Sequence, residues 1–221
     1  MKNKLLILFA FLSIGFASCD LGDDPAIGGT ATQALAGEYF IQLLSAPGGA
    51  VFVDYTQWTI SNTAANVPDK IRITDNDHVW GFSGVFNSDV NSLTFSGELI
   101  PNPSYGGEAG EPPAKPYRAI GRIDTLLSAV PRYMTITEGK ILKGVAHVPS
   151  NTIADSIAFF ATGHYQATSY MVVGHTYDTV TVDPLVIDTL SVFEYIQTFG
   201  SEDGPYFMSG YKRTGFLEDE H

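Results

Sequence analysis

The fold is decided by residues 70–99, which read KIRITDNDHVWGFSGVFNSDVNSLTFSGEL. Ile71 and Ile73 alternate with polar residues, a period of two that is typical of a strand with one buried face. Residues 75–78 are Asp-Asn-Asp-His, which favour a turn. The next two segments are separated by a polar turn over 87–92, and in each of them every second residue falls on the same face of a strand. These residues are Trp80, Phe82, Gly84 and Phe86 in the first segment, and Leu93, Phe95, Gly97 and Leu99 in the second. We therefore expect three antiparallel strands joined by short turns.

The same pattern of short alternating segments continues on both sides of this stretch. Further strands are predicted over 39–44, 50–60, 117–126, 133–137, 141–145, 155–162, 169–173, 176–182, 185–190 and 206–212. Residues 138–140 and 174–175 are expected to be hairpin connections, while 191–199 fit either a short helix or an irregular strand. Residues 101–116, rich in proline and glycine, are expected to form a long mobile surface loop. This pattern predicts an all-β fold, an antiparallel barrel or sandwich of about eight or more strands with little helix.

The N-terminus has the order of a secretory signal. Lys2 and Lys4 precede an apolar run over 5–16, and the small pair Ala17-Ser18 precedes Cys19, the only cysteine of the chain. We expect residues 1–18 to be a lipoprotein signal peptide, Cys19 to be acylated, residues 19–29 to be a flexible tether and residues 30–221 to be one domain. The membrane would then be a partner through Cys19, with the protein held at the outer membrane of the cell envelope. Ordinary secretory cleavage that leaves an unmodified Cys19 is the alternative.

Charge and composition exclude some classes of partner. The net charge is −12, with 24 acidic residues against 12 lysines and arginines. Nucleic-acid binding needs a basic surface to contact phosphates, so no nucleic-acid partner is expected. No second apolar run reaches the roughly 20 residues of a membrane-spanning helix.

The chain offers no recognisable catalytic or metal motif. The pentapeptide Gly-x-Ser-x-Gly of a nucleophile elbow is missing. Ser209 and Lys212 have the spacing of a Ser-x-x-Lys site, but on a strand they would lie on opposite faces. The histidines are scattered, and Asp75 and Asp77 fit a turn better than a calcium loop. We therefore expect no catalytic residue, no metal site and no cofactor.

The aromatic residues are the remaining candidates for a binding site. The chain has 14 Phe, 11 Tyr and 2 Trp. An eight-stranded barrel is just wide enough either to be filled by side chains or to hold one small ligand. The candidates for the barrel interior are Tyr39, Ile41, Trp58, Trp80, Phe82, Phe95 and Phe159. Each of them serves either as packing or as a wall of a ligand cavity.

Several stretches resemble a known bacterial family. They are residues 28–39, GGTATQALAGEY; 62–66, NTAAN; 154–156, ADS; and 209–220, SGYKRTGFLEDE. Together they resemble the secreted family called lipid-binding putative hydrolases, over most of residues 28–220. The resemblance implies a lipocalin-like antiparallel barrel and lipid binding. The family name implies hydrolysis, but the resemblance supplies no catalytic residues.

Three hypotheses follow for function. The first is a monomeric, lipid-anchored envelope protein that binds a lipid or another small hydrophobic molecule inside the barrel. The second is a hydrolase of lipid or glycan substrates. The third is a surface interaction module that uses the loop 101–116, with Tyr105 and Tyr117 exposed at the barrel mouth.

Overall fold

A computed structural model describes residues 29–182 and 185–220, without the side chains of 179–187. Cys19 and the predicted signal peptide lie outside the described residues. The strands are β1 Gly37–Leu44, β2 Val51–Asn62, β3 Lys70–Thr74, β4 Ser83–Asp89, β5 Thr94–Pro101, β6 Ile123–Leu127, β7 Tyr133–His147, β8 Ile153–Val182 and β9 Leu185–Lys212. A single turn of 3-10 helix follows at Leu217–Asp219.

The strands close into an antiparallel ring. Their order is β8-β7-β5-β4-β3-β2-β1-β9, and β9 pairs again with β8, which completes the ring; β6 pairs with β8 outside it. Every pairing in the ring is antiparallel. The prediction of an all-β, lipocalin-like antiparallel barrel with little helix is confirmed.

The stretch 70–99 forms β3, β4 and β5, as predicted, but its side-chain alternation breaks at Leu99. Ile71, Ile73 and Phe95 are buried, whereas Leu99 is 55% exposed and has a φ of +48°. Gly97 pairs with Ile136 and Ile100 with Met134, so β5 has one extra residue there. This β-bulge turns Leu99 outward and brings Ile100 against the core instead.

A second correction concerns the start of β4, which begins at Ser83 instead of Trp80. The preceding turn is built around Asp75, whose side chain is fully buried. The two oxygens of its carboxylate accept five backbone N–H groups, from Asp77, Val79, Trp80, Gly81 and Phe82, over 2.6–3.2 Å. Because these N–H groups are bound to Asp75, they do not pair with a neighbouring strand.

The predicted hairpin at 138–140 is wrong, because residues 133–147 form the single strand β7. Both halves of β7 pair with β8 in the same direction, and Glu138 sits at a bulge with a φ of +54°. Gly139 contacts β5 so closely that a Cβ there would lie 2.4 Å from the Phe95 carbonyl oxygen. Glycine is therefore required by close backbone approach and does not mark a turn.

The predicted hairpin at 174–175 is also wrong. Residues 153–182 form one strand, and its ladder with β9 continues from Ser156–Tyr211 to Val182–Leu185. Residues 191–199, left open between helix and strand, belong to β9. The distal part of this hairpin, residues 165–182 and 185–205, projects beyond the barrel by roughly 50 Å at about 3.3 Å per residue, and we call it the arm.

The strand β6 and the preceding loop cover one face of the arm. The Arg118 guanidinium lies over the Phe193 ring at 5.4 Å and pairs with Asp124. The His175 imidazole contacts the Tyr117 ring at 4.6 Å, and its Nε2 lies 2.8 Å from the Arg118 carbonyl oxygen. The loop thus packs on the arm, and the predicted strand over 117–126 is shortened to Ile123–Leu127.

The opposite end of the barrel is closed by the two terminal segments of the described chain. Leu35 is fully buried, and its carbonyl accepts the Tyr39 hydroxyl at 2.9 Å. Lys212 Nζ donates to the Ala36 carbonyl at 2.9 Å. The buried Asp219 carboxylate accepts the Ser150 amide and hydroxyl, both at 2.7 Å. These bonds fasten residues 30–36 and 214–220 to the end of the barrel away from the arm.

We expect Asp75→Asn to lower the free energy of unfolding by about 3 kcal/mol, because a buried amide NH₂ would face N–H groups that now meet a carboxylate oxygen. Urea denaturation measures this change. Asp77→Asn is the matched control, since Asp77 is exposed in the same turn, and it should stay within about 0.5 kcal/mol. Equal stabilities for the two variants would contradict the role given to Asp75.

The closed end also predicts a dependence on alkaline pH. Burial, with the negative charges of nearby groups, raises the pKa of Tyr211 to about 12 from its ordinary 10.0. The folded protein therefore keeps this proton more tightly than the unfolded chain, so its contribution to stability is intact below pH 10 and is lost as pH rises towards 12. The midpoint of urea denaturation should fall less steeply with pH above pH 10 in Tyr211→Phe than in the unmodified protein. Tyr177→Phe, at a 70% exposed position, should not change this pH dependence.

Candidate functional site

The seven residues predicted to line the interior all lie in one buried core. Tyr39, Ile41, Trp58, Trp80, Phe82, Phe95 and Phe159 are each at most 4% exposed. Their rings contact one another: Trp58 lies 5.8 Å from Phe159, and Phe95 lies 5.6 Å from the same ring. Edge-to-face packing of this kind fills the middle of the barrel.

Open space is found instead at the end from which the arm projects. A pocket of about 270 Å³ opens there, and we call it the mouth pocket. It is lined by Leu43, Phe52, Val53, Val79, Trp80, Tyr165, Asp203 and Tyr206. Of the seven predicted residues, only Trp80 reaches this pocket.

Three local features place the aromatic walls of the mouth pocket. The Asp75 turn holds Trp80 through its backbone N–H at 2.6 Å. A bulge in β2 adds Phe52, because Leu43 pairs with Val53 and Leu44 with Val51. Tyr165 and Tyr206 stand where β8 and β9 leave the ring. Trp80 and Tyr206 pack at 6.2 Å, and Phe52 meets Tyr206 edge-on at 5.7 Å.

Among the described residues that line the mouth pocket, Asp203 supplies the only carboxylate. Its Oδ1 accepts the Tyr206 hydroxyl at 2.6 Å, and its Oδ2 accepts the Trp80 indole N–H at 3.3 Å. Burial, together with the charges of Asp203 and Asp75, raises the pKa of Tyr165 to about 12. The pocket thus combines apolar walls with a fixed negative group and a protonated phenol, a composition suited to an oriented small ligand.

The described residues that line the mouth pocket include hydroxyl groups, those of Tyr165 and Tyr206. The Tyr206 hydroxyl donates to the Asp203 carboxylate, and that bond, with burial, raises the pKa of Tyr206. A nucleophilic hydroxyl needs the opposite effect, a base that removes its proton. The bond to Asp203 therefore holds the Tyr206 hydroxyl in its protonated form.

A hydroxyl, an imidazole and a carboxylate do lie in series on the outer wall of the barrel. Thr135 Oγ1 is 2.9 Å from His164 Nε2, and His164 Nδ1 is 3.4 Å from Glu202 Oε1. The order is that of a nucleophile, a base and an orienting acid. Thr135 Oγ1 also accepts the Leu99 amide at 3.2 Å, and the Glu202 side chain is 73% exposed.

Other sequence hypotheses can be placed on the structure. Among the described residues there is no group of three or more His, Cys, Asp or Glu suited to a metal ion. Ser209 and Lys212 lie on β9, as the strand prediction required. Over the described ranges no helix is long and apolar enough to cross a membrane. Tyr105 donates to Gln166 at the root of the arm, and Tyr117 lies farther out on it.

Of the eight described residues that line the mouth pocket, sequence reasoning named Trp80 and missed the other seven, among them Phe52, Tyr165, Asp203 and Tyr206. Simple alternation with Val51 and Val53 does not describe Phe52, because the bulge in β2 adds it as an extra residue. Asp203 precedes Gly204-Pro205, which reads as a turn. These residues come close together because strands far apart in the chain pair to close the ring. A local sequence pattern does not predict that pairing.

Comparison with known proteins gives one clear result. The family model described as lipid-binding putative hydrolase matches residues 24–217, nearly the whole chain. No curated protein matches the chain. Because the family model matches most of the chain, the chain belongs to the lipid-binding putative hydrolase family.

Proposed function

We propose that this protein binds a small lipid or another apolar ligand through the mouth pocket. Membership of a lipid-binding family supports the class of ligand. The observation that carries the location is the contrast between a core filled by packed rings and an open pocket of about 270 Å³ at the mouth. The ligand would contact Trp80 and lie outside the other six predicted residues.

The proposal includes the cell envelope as the place of action. The signal-like residues 1–18 and the single Cys19 support acylation and retention at the outer membrane. A lipid anchor would keep the protein beside a source of apolar ligands. Mass spectrometry of the N-terminal peptide from the native host distinguishes an acylated Cys19 from a free thiol.

A blocking substitution tests ligand binding at the mouth. We expect Val53→Trp to weaken binding of the neutral apolar probe N-phenyl-1-naphthylamine at least tenfold, because the larger ring fills the space that the probe needs. Val145→Trp, at a 51% exposed position on β7, is the matched control and should change the dissociation constant less than twofold. Fluorescence titration gives both constants, and equal affinities would place the probe elsewhere.

Hydrolysis is a second candidate function, favoured by the series Thr135, His164 and Glu202. If the series is catalytic, Thr135→Val should reduce hydrolysis of p-nitrophenyl acyl esters at least 100-fold, because the nucleophilic hydroxyl is lost. His164→Gln should do the same, while His78→Gln, at an exposed turn position, should not. An unchanged rate in Thr135→Val would assign any esterase activity to other residues.

A further inference from the structure

The mouth pocket carries a negative charge that no cation of the described chain neutralises. Among the described residues, no Lys, Arg or His nitrogen lies within 4.0 Å of the Asp203 carboxylate. The neighbouring His164 faces Glu202 instead. The two groups that do bind Asp203, the Tyr206 hydroxyl and the Trp80 indole, are neutral donors. They fix the orientation of the carboxylate and leave its charge in place.

The aromatic walls add to this preference for positive charge. Phe52, Trp80, Tyr165 and Tyr206 line the same pocket as Asp203. The face of an aromatic ring attracts a cation within about 6 Å, and Trp and Tyr do so more strongly than Phe. A cation in this pocket would therefore meet ring faces and a carboxylate together.

An anionic group would meet the opposite conditions. The eight lining residues include no lysine, arginine or histidine that would pair with a phosphate or a carboxylate. Such a group would be brought towards Asp203 without a counter-charge, at a desolvation cost that nothing in the pocket offsets. The apolar side chains of Leu43, Val53 and Val79 still provide a surface for a hydrocarbon chain.

We infer that the mouth pocket selects amphiphiles whose polar end is an ammonium group, with Asp203 and the Trp80 and Tyr206 rings as the cation subsite. This inference rests on the proposed function, since it names the chemical class of the ligand for the same pocket. The hydrocarbon chain would contact Leu43, Val53 and Val79, and the ammonium group would lie beside Asp203. No covalent step is involved.

The test compares three decyl amphiphiles below their critical micelle concentrations: decyltrimethylammonium, decyl maltoside and decyl sulfate. Calorimetric titration of the full protein should give at least tenfold tighter binding for decyltrimethylammonium than for decyl sulfate, with decyl maltoside between them. Added salt should reduce the difference in affinity between decyltrimethylammonium and decyl sulfate, because screening weakens the attraction between the ammonium group and Asp203.

Two variants assign the selectivity to Asp203. Asp203→Asn should weaken decyltrimethylammonium binding about tenfold and lower the preference for it over decyl sulfate by at least the same factor. Asp69→Asn, an exposed position at the other end of the barrel, makes the same change in net charge and should leave all three affinities unchanged. If Asp203→Asn does not fold, the ranking of the three amphiphiles by the unmodified protein still decides the inference.

The outcomes separate the two proposals. Binding of all three amphiphiles with equal affinity would overturn the cation subsite and leave ligand binding at the mouth standing. Failure of all three to bind would overturn the proposed function itself. Selectivity for decyltrimethylammonium that persists fully in Asp203→Asn would overturn the assignment to this carboxylate.

Discussion

The buried carboxylate of Asp75 is the interaction on which most of this structure depends. Five backbone N–H groups that would otherwise be stranded at the end of the barrel converge on its two oxygens. A carboxylate satisfies such a cluster better than any neutral side chain, because charge-assisted hydrogen bonds are roughly twice as strong as neutral ones. The turn fixed in this way sets both Phe82 in the core and Trp80 at the boundary between core and pocket.

That boundary explains why the interior and the mouth differ. Eight strands enclose little more than the volume of their own inward side chains, and here the inward residues include Trp58, Phe82, Phe95 and Phe159. The mouth pocket lies beyond these packed rings, where the ring opens and two of its strands continue outward as the arm. Polar groups are found there too, because the indole N–H of Trp80 and the hydroxyl of Tyr206 both donate to Asp203.

The sequence predicts the barrel well wherever one face of a strand is exposed to solvent and the other is buried. Ile71 and Ile73 are placed correctly for that reason. Prediction fails at bulges such as those at Leu99 and Glu138, since one extra residue reverses the alternation without any change in composition. It also fails for the long hairpin, because an isolated glycine and histidine at 174–175 read as a turn inside a continuous ladder. For the mouth pocket, Trp80 is predicted from its aromatic character. Its neighbours come from strands far apart in the chain, which meet only because the sheet closes into a ring.

Closure of the barrel removes the unpaired edges of the sheet, but the arm has an unpaired edge of its own. Within the described residues, β9 pairs with β1 only from Phe207 to Lys212, so its outer backbone from the arm to Tyr206 is open, apart from the bond from the Ser191 amide to the Ala114 carbonyl. Such edges invite strand addition by other chains and, in turn, aggregation. Four acidic side chains lie on this part of β9, of which Asp188 pairs with Lys115 and Asp203 lines the mouth pocket. The other two, Glu194 and Glu202, would repel the same edge of an approaching copy. Negative charge on this strand therefore opposes edge-to-edge pairing of two arms.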